Sequence, residues 1–600
     1  MKRPQVTIEQ ALYLIAFIVA LGIRLYNLGA APLSDIEASW ALQALDVARG
    51  EAGALGANPG YISLTGIFFF LLGSSNSIAR FWPALAGSLL VWLPYLFRRE
   101  EERIELEKIA GLIFAIGVAL DPGLVALSRL AGGPMIALGF GLLAAGFFFR
   151  GRAVIAGLSL GIALLGGPAI LQGALGLLLA WGFFRALPSS QEAETGFWPE
   201  VEGRSIRIVA FVAAGTALLL GTLFFRYPQG LSAIAAAFPE FLGTWVNPSG
   251  VPATRLFLAL VIYQPLAVIF GLVGGVQAWR RNNSTLKWVS LWALASLLIA
   301  LFNPGRQIAD LAWTLIPWWI LAAFALAGFV QTSVQDRLPA LGHSALIFIL
   351  LALAWINLAG IAGLDLALEV DRLRWLIVLG SLGLGVITTV LIVLGWSSGA
   401  AWRGLAWGSA LALGLYILSN TWGVSQRRQT SEHELWRTGP AVLQVDQFMQ
   451  TLGDLAEWRN GRRDTLDLVV AADVPSLRWA LRGWNGAQFG SDLENQSLPA
   501  VIINRETQSS PSQTAAYRGQ DFAWWVSPGW SGALPVDWTR WLVFRDAPEQ
   551  IDHIILWARG DLFPDGTLAL ENNGGDEESL DGEVVPAAGE QGEGAEGPAE

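Results

Sequence analysis

The stretch "APLSDIEASWALQALDVARG", residues 31 to 50, places two carboxylates, Asp35 and Glu37, directly behind the first long apolar segment of the chain. A carboxylate at such a boundary can serve as a general base when a nucleophile comes within hydrogen-bond reach. The same residues have a plainer use. Ser34 and Glu37 form S-x-x-E, the capping box that satisfies free amides at a helix start, and Asp35 complements the positive end of the helix dipole. Charged residues recur at similar places. Arg24 lies near the end of the first apolar segment, where a charge held deep costs about 2–3 kcal/mol. Arg129 precedes another apolar segment in "LSRLAGGPMIALGFGLLAAGFFFRG", and Arg306 follows "NPG" before a third. Asp121, in "LDP", stands near a segment end, where it equally fits a helix terminus.

The elements that must position these groups are membrane helices. Of 600 residues, 54% are hydrophobic and only 14% charged, too few to cover a soluble protein of this size. The apolar residues come in blocks of about 20, the length that crosses a bilayer as helix. The chain therefore reads as an all-α polytopic membrane protein with about thirteen spans, near 8–28, 78–97, 108–126, 134–150, 153–167, 169–186, 207–226, 255–278, 286–302, 308–330, 344–364, 373–396 and 402–423. The block 60–73 is only about 14 residues long and suits an interfacial helix better. With that choice Lys2, Arg3, Arg98, Arg99, Arg103, Arg150, Arg152, Arg280, Arg281 and Lys287 fall on one side, the cytoplasm by the positive-inside rule. The N-terminus is then cytoplasmic, and the first loop, 29–77, and everything beyond 424 lie outside a multi-pass cytoplasmic membrane. The N-terminal run has no small-residue cleavage site and reads as a retained first span.

Residues 1–423 thus form the transmembrane domain. Residues 424–565 alternate helical and strand patterns and read as a small extracytoplasmic α/β domain. Its "AVLQVDQFMQTLGDLAEW" has helical period; "TLDLVVAAD", "AVIINR" and "HIILWARGDLF" read as buried strands. Tryptophans are dense here, and core or interface packing is weighed above sugar stacking. Residues 566–600 read as a disordered acidic tail: from Glu571 on there are ten acids and no Lys or Arg, which leaves −1 of the net charge of −11 for the rest. There is no Cys, and the three His are far apart, which argues against a His-based metal site. Walker A loop, Rossmann glycine fingerprint and basic nucleic-acid patch are all missing from the sequence.

The order of features through residues 15–150 resembles the GT-C superfamily of membrane glycosyltransferases, in its protein mannosyltransferase and aminoarabinose transferase branch. The features are the arginine of "GIRLYNLG", the acidic motif at a helix start in the first loop, and the run "NPGYISLTGIFFFLLGSSNSIARFWPALAGSLLVWLPYLFRR" with its Ala-Arg-Phe-Trp-Pro entry to the second span. "FNPGRQIADLAWTLIPWWILAAFAL" is similar to the late segment carrying a basic residue before a proline-containing span. "PSLRWALRGW" and "IILWARGDLFP" resemble the outer domain of a flippase-associated glycosyltransferase-like subgroup. Two positions depart from the pattern. Ile36 stands where relatives carry the Asp of an adjacent Asp-Glu pair, and Gly132-Gly133-Pro134 stands where many carry an acid.

The resemblance implies transfer of a sugar from a polyprenyl-phosphate donor, out of the membrane lipid, to an envelope glycan, lipid or protein. Asp35 becomes the expected base, with Glu37 orienting it or binding the donor. Arg306, and with it Arg129 and Arg24, are expected at the leaving phosphate, since a guanidinium suits an oxyanion best; Asp121 is a substitute acid. No cofactor is required, although a divalent cation bridging carboxylate and phosphate is compatible with this chemistry. Nucleic acid is not expected as a partner. Two rivals carry different expectations. A non-catalytic scaffold that binds lipid-linked glycans or assists their translocation is favoured by the two departures. A carrier or channel calls for inverted repeats or broken helices around midplane charges.

Overall fold

The structure, a computed structural model, describes residues 7–51, 53, 55–97, 105–187, 203–330, 336–363, 368–490, 499–508, 515–530, 532 and 534–563. The acidic tail expected from residue 566 lies outside them. Among the described residues, seven helices are long and apolar enough to cross a membrane: Ile8–Leu25, Pro168–Arg185, Gly203–Gly221, Ser284–Phe302, Ile308–Val330, Arg337–Gly363 and Val370–Gly395. Two bent pairs raise the number to nine.

Six segments of the expected thirteen do not fold as single long apolar helices: the two bent pairs and four others. Residues 78–97 are divided into Asn76–Leu89, a 3-10 turn Leu90–Trp92 and Leu93–Phe97. Met135–Phe149 and Ala153–Leu164 have 15 and 12 residues. Ser398–Trp422 is long enough at 25 residues but is diluted by glycine, serine and asparagine. The bent pairs have a common cause. Leu106–Leu120 and Pro122–Ser128 meet at 55°, and Ala253–Tyr263 and Pro265–Arg280 at 91°. In both, a proline removes an N–H and forces the preceding residue, Asp121 or Gln264, out of helical geometry. The two breaks touch: with its amide nitrogen donating to the Ala259 and Leu260 carbonyls, the Gln264 oxygen accepts from the Gly123 N–H at 3.2 Å. Broken helices of the kind a carrier shows are therefore present. The acid between them, however, is fully engaged by the protein: Asp121 accepts from the Leu124 N–H at 2.7 Å and from Trp319 Nε1 at 2.8 Å.

At one end of the bundle lie two short helices, Asp35–Arg49 and Pro59–Leu72, packed on each other. The second has 14 residues, about 21 Å of helix, too short to cross hydrocarbon. The same end carries a six-stranded mixed sheet: β1 (Ala441–Val442), β2 (Leu468–Val470), β3 (Ala487–Phe489), β4 (Val501–Arg505), β5 (Tyr517–Pro528) and β6 (Glu549–Arg559), in the order β1-β5-β6-β4-β2-β3. β2 runs parallel to β3 and β4, and the other pairs are antiparallel. The helix Val445–Asn460 seals one face with Phe448 and Leu452. β5, which contains "FAWWVS", is a strand the alternation did not reveal. Trp524 is fully buried in the sheet core, and Trp541 is buried where the domain meets the bundle.

Candidate functional site

The capping box is formed as written. Ser34 caps the helix Asp35–Arg49, and Glu37 reaches back to the Ser34 N–H at 3.1 Å. The Glu37 carboxylate does more than cap. Arg80, from the Ala-Arg-Phe-Trp-Pro motif, grips it twice, Nε to Oε1 at 2.7 Å and Nη2 to Oε2 at 2.8 Å, and the Ala131 N–H of the second loop donates to Oε1 at 3.0 Å. Burial alone raises the pKa of this group. The Arg80 charge and the donated hydrogen bonds outweigh it and hold Glu37 below the usual carboxylate range. The remaining N–H groups of Arg80 go to the Leu28, Ala31 and Pro32 carbonyls. Glu37 and Arg80 thus tie first loop, second loop and the helix Asn76–Leu89 together.

Asp35 points elsewhere. Its Oδ1 accepts from the Ser476 N–H at 2.9 Å and its Oδ2 from Trp525 Nε1 at 2.7 Å. Both donors belong to the sheet domain, Ser476 on the helix Pro475–Ala480 and Trp525 on β5. The same face holds Trp479 Nε1 to Asn76 Oδ1 at 2.8 Å and Arg49 Nη2 to the Arg482 carbonyl at 2.7 Å. Asp35 is therefore a docking contact between the first loop and the sheet domain. Asp35→Ala leaves an indole and an amide without acceptors, a loss of about 1–3 kcal/mol of docking free energy. The expected result is faster limited proteolysis of the sheet domain in detergent micelles, and a cleavage rate equal to that of the unmodified protein removes this role.

The arginines also separate. Arg24 is fully buried and donates to Ser128 Oγ and to the Ala20, Ala119 and Val118 carbonyls. It clamps the break of the bent pair. Arg129 donates to the Ile23, Arg24, Tyr26 and Asn27 carbonyls and so closes the end of the first helix. Arg306 binds the Leu301 and Val251 carbonyls at 3.1 and 2.9 Å.

Two cavities lie at this end. The larger, about 350 Å³, is bounded by the first loop, the second loop, the helix Gly230–Thr244 and the segment 303–310. Its acids are Glu37, Glu240 and Asp310, with Gln172, Asn303 and Asn58 beside them. Ile36 lines it and Asp35 does not. Gly132 lines it as well, with φ +72°, and a Cβ there meets Trp40 Cδ1 at 2.4 Å. Backbone and packing both require glycine at this position. The smaller cavity, about 80 Å³, is lined by Arg80, Arg129, Arg428 and Arg437 together with Trp436. Glu37, Leu130 and Thr438 border both. Arg24, Asp121 and Arg306 line neither.

Around the smaller cavity donors outnumber acceptors. The Glu434 carboxylate, also in the lining, is engaged by Arg428 Nε and by the Tyr263 hydroxyl at 2.6 Å. Glu432 takes Arg437 Nη1 at 3.1 Å and the Ala441 N–H. Burial pushes the Glu432 carboxyl up to about 7 against the pull of Arg437, so at neutral pH this acid only partly offsets the arginines. Trp436 Nε1 is buried without a partner among the described residues. An unpaired buried donor is costly and calls for an acceptor. Sequence reasoning missed this segment. Its signal is "RQTSEHELWR", two acids and an indole between two arginines, directly behind the last long helix. Among the described residues no three His, Asp or Glu side chains assemble into a metal-binding group.

The chain matches no protein-family model and no curated protein sequence. Among solved structures it is similar to ArnT from Cupriavidus metallidurans bound to undecaprenyl phosphate, with 14% identity over 80% of this chain and 85% of that one and a TM-score of 0.46. For the same ArnT in the apo state the identity is 13% over the same shares of the two chains, with a TM-score of 0.47. It is also similar to the Archaeoglobus fulgidus oligosaccharyltransferase in complex with zinc and sulfate, at 14% identity over 80% of this chain and 62% of that one, with a TM-score of 0.41.

Proposed function

We propose that this protein transfers a sugar from a polyprenyl-phosphate donor to an envelope glycan, lipid or protein at the outer face of the cytoplasmic membrane. One observation carries the reading: a small chamber with surplus cationic donors shares a wall with a larger one lined by acids and amides. The small chamber suits the phosphate, held by the free N–H groups of Arg428 and Arg437 and by Trp436 Nε1. The larger one has the size of a small-ligand site and suits sugar and acceptor. In the transfer, the acceptor O–H or N–H gives its proton to a carboxylate. The acceptor atom bonds to the anomeric carbon, and the carbon–oxygen bond to phosphate breaks, its electron pair leaving on the phosphate. Fixed cations favour that departure. Asp310 is the acid best placed as base, because Glu37 is engaged by Arg80 and Asp35 by the sheet domain.

A second reading, a scaffold that binds the lipid-linked sugar without turning it over, is favoured by Ile36, which faces the larger cavity where relatives carry an acid. Both readings are tested with the purified protein in nanodiscs and a panel of polyprenyl-phosphate sugars. Transfer releases polyprenyl phosphate. Trp436→Phe removes one donor hydrogen and little volume, so apparent donor affinity falls about tenfold with little change in turnover at saturating donor. Binding without release for every sugar and acceptor supports the scaffold, and no binding by any donor overturns both.

A further inference from the structure

The tryptophans that serve neither cavity point to a second surface. The helix Leu368–Gly395 contains twenty uncharged residues, Leu376 to Gly395, with Trp375 immediately before them and Trp396 immediately after. Twenty residues of helix span about 30 Å, the thickness of a hydrocarbon core, and tryptophan concentrates at its two edges. Trp375 therefore marks the membrane boundary nearest the sheet domain, with Arg372 and Arg374 just beyond it.

The sheet domain meets the bundle at that level through the helix Trp538–Phe544. The Trp538 ring lies 6.3 Å from that of Trp375. Phe544 sits at the end of Arg337–Gly363, where a Cβ on Gly363 meets its Cζ at 3.1 Å. Arg545 Nη2 donates to Asn420 Oδ1, near the end of Ser398–Trp422, at 3.2 Å. Three helix ends thus fix the height of this short helix. Its exposed side, with the residues just before it, carries Val536 at 101%, Phe544 at 51% and Trp538 at 43%, and the one charge on the helix, Arg540, is paired with Asp546 at 2.6 Å. The exposed Leu373, Leu376 and Leu379 continue that side down the neighbouring helix. Large apolar side chains standing together on a soluble domain need a cover, and this patch runs into the lipid-facing surface of a membrane helix.

We propose that Val536, Trp538 and Phe544 are seated in the headgroup boundary of the membrane the helices cross, so that lipid, and not a second protein, covers this face and anchors the sheet domain. The protein contains no cysteine, so Val536→Cys can be labelled singly with an environment-sensitive fluorophore in the full chain in nanodiscs. Trp458→Cys, on the helix Val445–Asn460 and 66% exposed, is the reference. Emission from position 536 is expected to lie to the blue of that from 458. It is expected to be quenched more by lipids with a spin label near the headgroup than by lipids with one deep in the chain. Equal emission and equal quenching at the two positions overturn the proposal. Blue emission at 536 without lipid quenching also overturns it, because a protein then covers the patch. Neither readout depends on transfer activity.

Discussion

Glu37→Ala is expected to destabilise the folded protein by about 3–5 kcal/mol, the usual effect of stranding one member of a buried ion pair. Arg80 is 5% exposed, and its two bonds to Glu37 have no replacement nearby. The Ala131 and Ser34 N–H groups lose their acceptor in the same variant. Glu37→Met combined with Arg80→Met recovers part of the loss, since an apolar pair removes the buried charge. Recovery is incomplete because the Leu28, Ala31 and Pro32 carbonyls lose their donors. The pH dependence has a definite sign. The folded pKa of Glu37 is depressed, so its contribution is fully present above the ordinary glutamate value of about 4.3 and is lost as pH falls through the folded value. The acid limb of the stability curve should therefore be flatter in Glu37→Ala. Denaturant titration in mixed micelles, followed by tryptophan fluorescence, measures both effects. A variant within about 1 kcal/mol of the unmodified protein shows that the pair is not what holds the loops together.

The helical membrane class was legible because it depends on composition and on block length, which hydrocarbon thickness dictates. The bends were half legible: "LDP" and "YQP" put a proline inside an apolar run, yet apolarity alone continues through both, and 255–278 read as one span. Met135–Phe149 and Ala153–Leu164 show the complementary limit. Their apolar residues are as dense as those of a span, but the left-handed Gly151, at φ +68°, follows the end of the first, and the second stops at Leu164, just before Gly167, at φ +74°, opens the next helix. In the sheet domain, β4 and β6 announced themselves by runs of isoleucine and valine, whereas β5 begins with exposed polar residues and its tryptophans carried no period.

The site was less legible than the fold, because its logic is three-dimensional. Nothing local separates Asp35 from Glu37. Which of them faces a cavity depends on Arg80, more than forty residues on, and on Ser476 and Trp525 of the sheet domain. Asp35 and Ile36 are about 100° apart on a helix, enough to turn one toward the sheet domain and the other into the larger cavity. The arginines likewise looked alike in the sequence. Three of them cap or clamp backbone carbonyls, and the surplus donors come from Arg428, Trp436 and Arg437, at the start of the stretch that reads as the extracytoplasmic domain and carries no motif there.

Asp310→Asn is expected to lower turnover by 10²- to 10⁴-fold, the range a positioned general base contributes, while leaving donor affinity within about twofold. The geometry behind this is specific. Asp310 is the third residue of a 3-10 turn, Ile308–Leu311, in which its Oδ2 accepts from the Gln307 N–H at 2.8 Å and Gln307 caps in return. That bond, with the Gln172 side chain beside the carboxylate, fixes the group at the cavity wall. Gln172 donates to the Asp310 carbonyl at 3.4 Å, tying the turn to the helix Pro168–Arg185. Glu240 also lines the cavity but has no such anchor among the described residues, and a base must be held within hydrogen-bond reach of its proton. Asn keeps the size and the Gln307 contact and removes only the basicity, so a folding defect is not expected. Asp35→Asn provides the contrast. It keeps an acceptor for Trp525 or Ser476, and turnover should stay near that of the unmodified protein. A steady-state comparison of polyprenyl phosphate release by the two variants decides between them. If Asp35→Asn is inert while Asp310→Asn turns over normally, the base sits at the docking face, and the larger cavity does not host the chemistry.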